Sequence, residues 1–247
     1  MRLAVVTGIG SYTEADADRR RTQLQSAARP GTEIEVFSAN SGVPYVESTY
    51  ELHRTEVAVS EKVVELADAG FDAVMGSAFL DNGLDAAREL VSIPVVGPAK
   101  TTLYLAATLA DHFAIVMAAG HLGKHAWDRA KLAGVLDRVV AIPTLEVTVA
   151  EFFREPERAI DLTTEAGRAA RDDCGAQALV LGCGATTGLA AAVSERLDLP
   201  VLDPGLVALK QAEMLVDLGL SHSKLAFPDN PRVGRLIRGQ VVGQSET

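Results

Sequence analysis

Cysteine is scarce in this chain. Cys174 and Cys183 are the only two in 247 residues, so there is no disulfide framework, and both are expected as free thiols in a reducing compartment, the cytoplasm. Cationic excess is missing too: 23 Lys and Arg stand against 33 Asp and Glu, a formal net charge of −10, which leaves no overall field for nucleic acid or anionic lipid. No apolar run approaches the roughly 20 residues that cross a bilayer, and Met1 to Thr7 reads as an opening strand rather than a signal peptide. The expected partner is therefore a small molecule, not nucleic acid and not a membrane. The one basic cluster, Arg19-Arg20-Arg21, follows Asp16 and Asp18 on an expected helix and reads as a solvated face. Cys174, in Arg171-Asp-Asp-Cys-Gly175, lies at an expected helix end and reads as structural.

Several catalytic signatures are also absent. There is no Gly-x-Ser-x-Gly elbow and no Walker loop, which counts against hydrolase and phosphoryl-transfer chemistry. Lys100 and Lys210 lack the context of a pyridoxal Schiff-base lysine. Thr7-Gly8-Ile9-Gly10-Ser11 contains a Gly-x-Gly, but Thr13 stands where the third glycine of a dinucleotide fingerprint belongs, and no acidic residue closes a strand about 20 residues later. That loop reads as a strand-to-helix turn or a carboxylate cradle. His121 and His125 are spaced i, i+4, yet no Glu, Asp or third His joins them at a zinc-site spacing; no metal is expected.

What the chain does contain is a repeat. Asp72-Ala-Val-Met-Gly-Ser-Ala78-Phe-Leu-Asp-Asn-Gly83-Leu84 aligns without a gap on Gln177-Ala-Leu-Val-Leu-Gly-Cys183-Gly-Ala-Thr-Thr-Gly188-Leu189, at an offset of 105. After one extra residue, Ile93-Pro-Val-Val-Gly-Pro98 runs against Leu199-Pro-Val-Leu-Asp-Pro204. Ala78 falls opposite Cys183. Short Val, Ile, Leu and Ala runs alternate with segments of helical period, which predicts α/β sandwich lobes with parallel sheets. The expected strands are Leu3 to Thr7, Ile34 to Phe37, Ala73 to Ser77, Val95 to Val96, Phe113 to Ala118, Val139 to Ile142, Ala178 to Gly182 and Val201 to Leu202. Helices are expected at Glu14 to Ala28, Ser48 to Ala69, Leu84 to Leu90, Gly123 to Ala133, Val149 to Asp172, Leu189 to Leu197 and Leu206 to Leu218. The expected first lobe is residues 1–106 plus 213–247, with the segment after Gly219 packing back on it; the second is 107–212.

In open parallel sheets ligands bind at the carboxyl ends of strands. Thr7 to Ser11, Gly76 to Phe79, Ala118 to His121 and Gly182 to Thr186 all occupy that position, and their small residues let backbone amides approach a ligand. Cys183 ends a strand and precedes a helix expected to begin around Thr187, where the helix dipole and unpaired amides favour a thiolate. It is the leading candidate for an acid/base or nucleophile. Thr7, Ser11, Gly76, Ser77, Ala78, Phe79, His121, Gly184 and Ala185 are the candidates for holding substrate around it.

Phe79-Leu-Asp-Asn-Gly-Leu-Asp-Ala-Ala-Arg-Glu-Leu90, Ile93-Pro-Val-Val-Gly97, Val180-Leu-Gly-Cys-Gly184 and Pro44-Tyr-Val-Glu47 resemble the hydantoin and allantoin racemase branch of the aspartate/glutamate racemase superfamily. The resemblance implies two pseudosymmetric lobes, a site between them, no cofactor, and two cysteines flanking the substrate; such proteins are commonly homo-oligomers. Of the two cysteines, the second carries over to Cys183. The first falls on Ala78, or on Ser77 if the preceding Val-x-Gly is the anchor, and neither replaces a thiol. Three readings follow. One is a racemase whose second base is sought among Asp81, Glu47 and His121. Another is a single-cysteine lyase resembling arylmalonate decarboxylase, with Ala78, Phe79 and Leu80 disfavouring a bound carboxylate while Ser77 and the Gly184 and Ala185 amides steady an enolate oxygen. A third is a binding protein without turnover.

Overall fold

The computed structural model describes residues 1–239. The first sheet has the order β2-β1-β3-β4 and the second β6-β5-β7-β8, with every pairing parallel. The first is built from β1 (Arg2–Thr7), β2 (Glu33–Ser38), β3 (Ala73–Gly76) and β4 (Val95–Val96); the second from β5 (Phe113–Val116), β6 (Val139–Ala141), β7 (Ala178–Leu181) and β8 (Val201–Leu202). The two lobes thus repeat one topology, as the aligned segments predict. Both sheets are covered on both faces, so their central strands are continuous apolar runs rather than alternating ones.

Helices α1 (Glu14–Gln25), α2 (Thr49–Asp68), α3 (Leu84–Leu90), α4 (Pro98–Leu109) and α5 (Gly123–Leu132) are followed by α6 (Val149–Arg154), α7 (Pro156–Cys174), α8 (Ala190–Leu197), α9 (Pro204–Asp217) and α10 (Pro231–Ile237). On the first sheet, Val59 and Val63 of α2 with Leu84 and Ala87 of α3 meet Ala4, Val6 and Val74. The opposite face, Leu3, Val5 and Met75, is covered by Leu24 of α1 and by Ala208, Leu209 and Ala212 of α9. On the second sheet, Ile160 and Ala170 of α7 and Val193 of α8 meet Ala114, Val116 and Leu179, while Leu103 and Ala106 of α4 and Ala126 of α5 meet Phe113, Ile115 and Val180. Each half therefore sends its last helix across to the other sheet. The chain positions 106/107 and 212/213 lie inside these two exchanged helices, which also pack on each other.

Three helical features depart from the sequence pattern. Helix α4 forms over residues for which no helix is expected, with Pro98 at its first turn, where a missing N–H costs nothing. The long helix expected from Val149 to Asp172 is two, broken at Glu155 because Pro156 cannot continue a helix interior but starts a new one well. The helix expected at Leu189 to Leu197 runs over Ala190–Leu197, so its start falls after the Thr187 expected for it beside Cys183. After α9 the chain returns to the first lobe: Ser221 Oγ donates to the Ser92 carbonyl at 2.6 Å, His222 Nε2 accepts from Val95 N at 2.8 Å on the edge strand β4, and Arg238 pairs with Asp68. Burial first, then the nearby Arg88 charge, pushes His222 down to about 4, so it serves as a neutral acceptor that shields the sheet edge. No helix among the described residues is long and apolar enough to cross a membrane.

Candidate active site

The order 2-1-3-4 reverses the direction of winding between β1 and β3, and the second sheet does the same between β5 and β7. Loops leaving the carboxyl ends of these four strands diverge there and open a crevice. In this protein the two crevices face each other and form one cleft. Thr7, Ser11, Ser77, Ala78 and Phe79 line it from the first lobe, and Cys183, Gly184 and Ala185 from the second. The two repeated loops touch. A methyl group added at Gly184 would overlap the Ser77 carbonyl oxygen, so glycine there is what lets the thiol-bearing loop approach Ser77 and Ala78.

Cys183 is 9% exposed, among Ala118, Phe152 and Ala159. Its surroundings correct the expectation of a helix-activated thiolate. A 3₁₀ turn over Gly184–Thr186 and Gly188 at φ 91° separate it from α8, so the thiol is not at a helix N-terminus. Burial pushes the Cys183 thiol up; the Ala185 amide donating to the sulfur and the Arg20 charge oppose this, and Glu47 reinforces it. Burial thus favours the thiol form of Cys183 over the thiolate.

Two of the residues proposed to hold substrate lie elsewhere. Gly76 faces the core, where an added methyl would overlap Leu84 beside Pro98. His121 is solvent-exposed and does not line the cleft. Nor do the other two candidate second bases line it. Asp81 is buried and accepts from Ala99 N at 2.8 Å and Lys100 N at 3.0 Å, capping α4; burial pushes it up to about 6 against those two amides. Glu47 accepts from Val149 N at 2.8 Å and so ties the lobes together at the first turn of α6. His125 bonds Thr49 across the lobes at 3.0 Å.

Arg20 is the largest departure from the sequence pattern. Instead of lying on a solvated face it is 5% exposed, lines the cleft, and donates to the Gly184 carbonyl and the Thr187 hydroxyl of the second lobe. Its neighbours Arg19 and Arg21 do behave as surface residues. Arg19 lies 4.2 Å over the Phe153 ring, and Arg21 pairs with Asp18. Tyr12, Tyr45 and Asn82 are further polar residues of the cleft. Asn82 does have a sequence signal, since the same offset places it opposite Thr187, the hydroxyl on which Arg20 rests. The carboxylate of Asp16 also lines the cleft, and the rest of the wall is mainly apolar, with Val46, Leu80, Met117, Leu122, Val149 and Phe153.

Hydantoin racemase of Pseudomonas sp. (strain NS671) is 34% identical to this chain over 201 residues, covering 81% of each protein. The crystal structure of allantoin racemase from Pseudomonas fluorescens superposes with a TM-score of 0.88 at 28% identity, covering 98% of this chain and all of that one. Arylmalonate decarboxylase, at 17% identity and a TM-score of 0.60 over 87% of this chain and 92% of its own, shares the fold. Residues 13–212 match the Asp/Glu/Hydantoin racemase family, and the chain belongs to it.

Proposed function

We propose that the cleft racemises a small hydantoin-like or amino-acid-like substrate through a carbanion next to a carbonyl, without a cofactor, with Cys183 exchanging the proton on one face and a second base exchanging it on the other. The observation that carries this is the position of Cys183: a buried thiol with an amide donor at its sulfur, on a loop pressed against its own repeat. The resting thiol protonates the carbanion left when the second base has taken the proton from the opposite face; in the reverse direction its thiolate, held by the Ala185 amide and the Arg20 charge, removes the proton and the protonated second base returns one to the other face. Identity to hydantoin racemase over four-fifths of the chain supports the ring as the substrate class.

A second reading has its own support. At Ala78 the other face meets a methyl group beside Phe79 and Leu80, a wall that offers no proton and disfavours a carboxylate. Loss of carbon dioxide from a malonate would make the enolate without a second base, leaving Cys183 to protonate one face. Single enantiomers of 5-substituted hydantoins and, separately, a prochiral arylmalonate incubated in deuterated water distinguish the two. Racemisation with deuterium entering both hydantoin enantiomers supports the first reading. Carbon dioxide release with one labelled enantiomer of the product would replace it with the second, and neither reaction would leave a binding protein.

A further inference from the structure

Six buried side-chain polar atoms have no hydrogen-bond partner among the described residues. Three of them, Tyr12 Oη, Arg20 Nε and Asn82 Oδ1, belong to residues that line the cleft. Buried polar groups are ordinarily satisfied because leaving one unmet forfeits its whole hydration. Half of these unmet atoms belong to residues that line the one cleft, which points to a site completed by a ligand.

Their chemistry indicates which ligand. Arg20 can only donate, and its hydrogen bonds go to neutral oxygens, so a buried positive charge faces the cleft. Asn82, 5% exposed, is held the other way round. The Thr55 hydroxyl donates its one proton to the Leu52 carbonyl at 2.7 Å. It can then only accept, at 2.9 Å from Asn82 Nδ2, which turns Asn82 Oδ1 away from Thr55 and leaves it as an unmet acceptor. The Tyr12 hydroxyl, without a hydrogen-bond partner among the described residues, completes the set.

We propose that Tyr12, Arg20 and Asn82 read an amide edge of the ligand. Tyr12 and Arg20 donate to a carbonyl oxygen, on which negative charge collects when the neighbouring carbon loses its proton, and Asn82 Oδ1 accepts the N–H beside it. A cyclic ureide carries both groups; a malonate has no N–H for Asn82. The inference rests on the reading of this cleft as the substrate site and assigns specificity within it.

The test is ligand binding without turnover. In a Cys183→Ala background, calorimetry compares 5-benzylhydantoin with its N1-methyl and N3-methyl derivatives. Tyr12→Phe removes a hydroxyl that has no hydrogen-bond partner among the described residues, so the melting temperature should hold while hydantoin affinity falls about tenfold, the value of one hydrogen bond to a ligand. With Asn82 present, N3-methylation, which removes the N–H beside the C4 carbonyl, should weaken binding about tenfold or more, N1-methylation should not, and Asn82→Leu should shrink the N3-methyl penalty to within about twofold. Unchanged affinity in Tyr12→Phe overturns the proposal. So does an N3-methyl penalty that is absent, or that persists in Asn82→Leu, or a failure of every hydantoin to bind; if Asn82→Leu does not fold, Tyr12→Phe decides alone. Binding differences as expected without racemisation by the Cys183-containing protein would count against the proposed reaction and leave the recognition set standing. Racemisation with flat binding would do the reverse.

Discussion

The loop after β3 and the loop after β7 solve one mechanical problem with inverted parts. Each must be fixed to the helix that crosses to the other sheet. In the first lobe the carboxylate sits on the loop: Asp81, at φ 56°, caps α4 over Gly97, and a methyl group at Gly97 would overlap that carboxylate. In the second lobe it sits on the helix. Asp203 caps α9 through Gly205 N at 2.9 Å and Leu206 N at 3.2 Å and reaches back to Gly188 N of the loop. Burial pushes both carboxyls up. The scaffold is thus matched in function though not in residue, whereas the groups presented to the cleft, the methyl of Ala78 and the thiol of Cys183, are matched in neither. A duplicated loop preserves the demands of packing more faithfully than it preserves chemistry.

The comparison breaks hardest at Cys183. Cys183→Ala makes the two loops alike, and turnover of the best hydantoin should fall by about 10³-fold or more with the circular dichroism spectrum unchanged; residual activity within tenfold of the parent would remove the thiol from the reaction. Ala78→Cys makes them alike in the other sense. Ala78 lines the cleft beside Ser77, and a thiol there should raise racemisation about tenfold to a hundredfold, measured polarimetrically with both enantiomers.

The scaffold half of the comparison is tested by stability. Asp81→Ala and Asp203→Ala should each cost about 2–4 kcal/mol in urea unfolding, because each strands backbone amides at the start of a crossing helix. A cost at only one position would show that the loops are not held equivalently. The Asp81 carboxyl also has a pH signature. Its value is raised from 3.8 to about 6 in the folded protein, so the native state holds this proton more tightly than the unfolded chain. Its contribution is fully present below pH 3.8 and is lost as pH rises through about 6. Between pH 4 and 7 the unfolding free energy of the parent should therefore fall by up to about 3 kcal/mol relative to Asp81→Asn, a difference read from paired urea titrations.

The smallest effect distinguishes the two cysteines. Cys174 is exposed and Cys183 buried. Alkylation mapped by mass spectrometry at neutral pH should label Cys174 first, with Cys183 reacting appreciably only as pH rises above the ordinary thiol range. Arg20→Gln should delay Cys183 further, since the Arg20 charge favours its thiolate.

The sheets were legible because buried parallel strands are short apolar runs, and because the repeat marks β3 and β7 at one offset. Helix α4 was not, since Pro98-Ala-Lys-Thr-Thr-Leu buries only small or polar residues in its first turn. The break at Pro156 was available to sequence reasoning, proline being unable to extend a helix interior. In the site, Cys183 was visible from the repeat and its glycine neighbours. Its elevated thiol was not, because desolvation depends on Phe152 and Ala159 from helices far along the chain. Arg20 is the clearest case of information the linear pattern lacks. Nothing local separates it from Arg19 and Arg21; a helical turn rotates it toward the other lobe, and only the assembled fold provides the Gly184 carbonyl that it meets.

The central claim is that the cleft carries a thiol on one face only. Deuterium entry and inversion should be followed separately by NMR for each pure enantiomer of one 5-substituted hydantoin. For the enantiomer whose C–H faces Cys183, deuterium should enter with retention faster than the centre inverts, while its mirror image shows no such excess. Equal ratios of exchange to inversion for the two enantiomers would contradict the account.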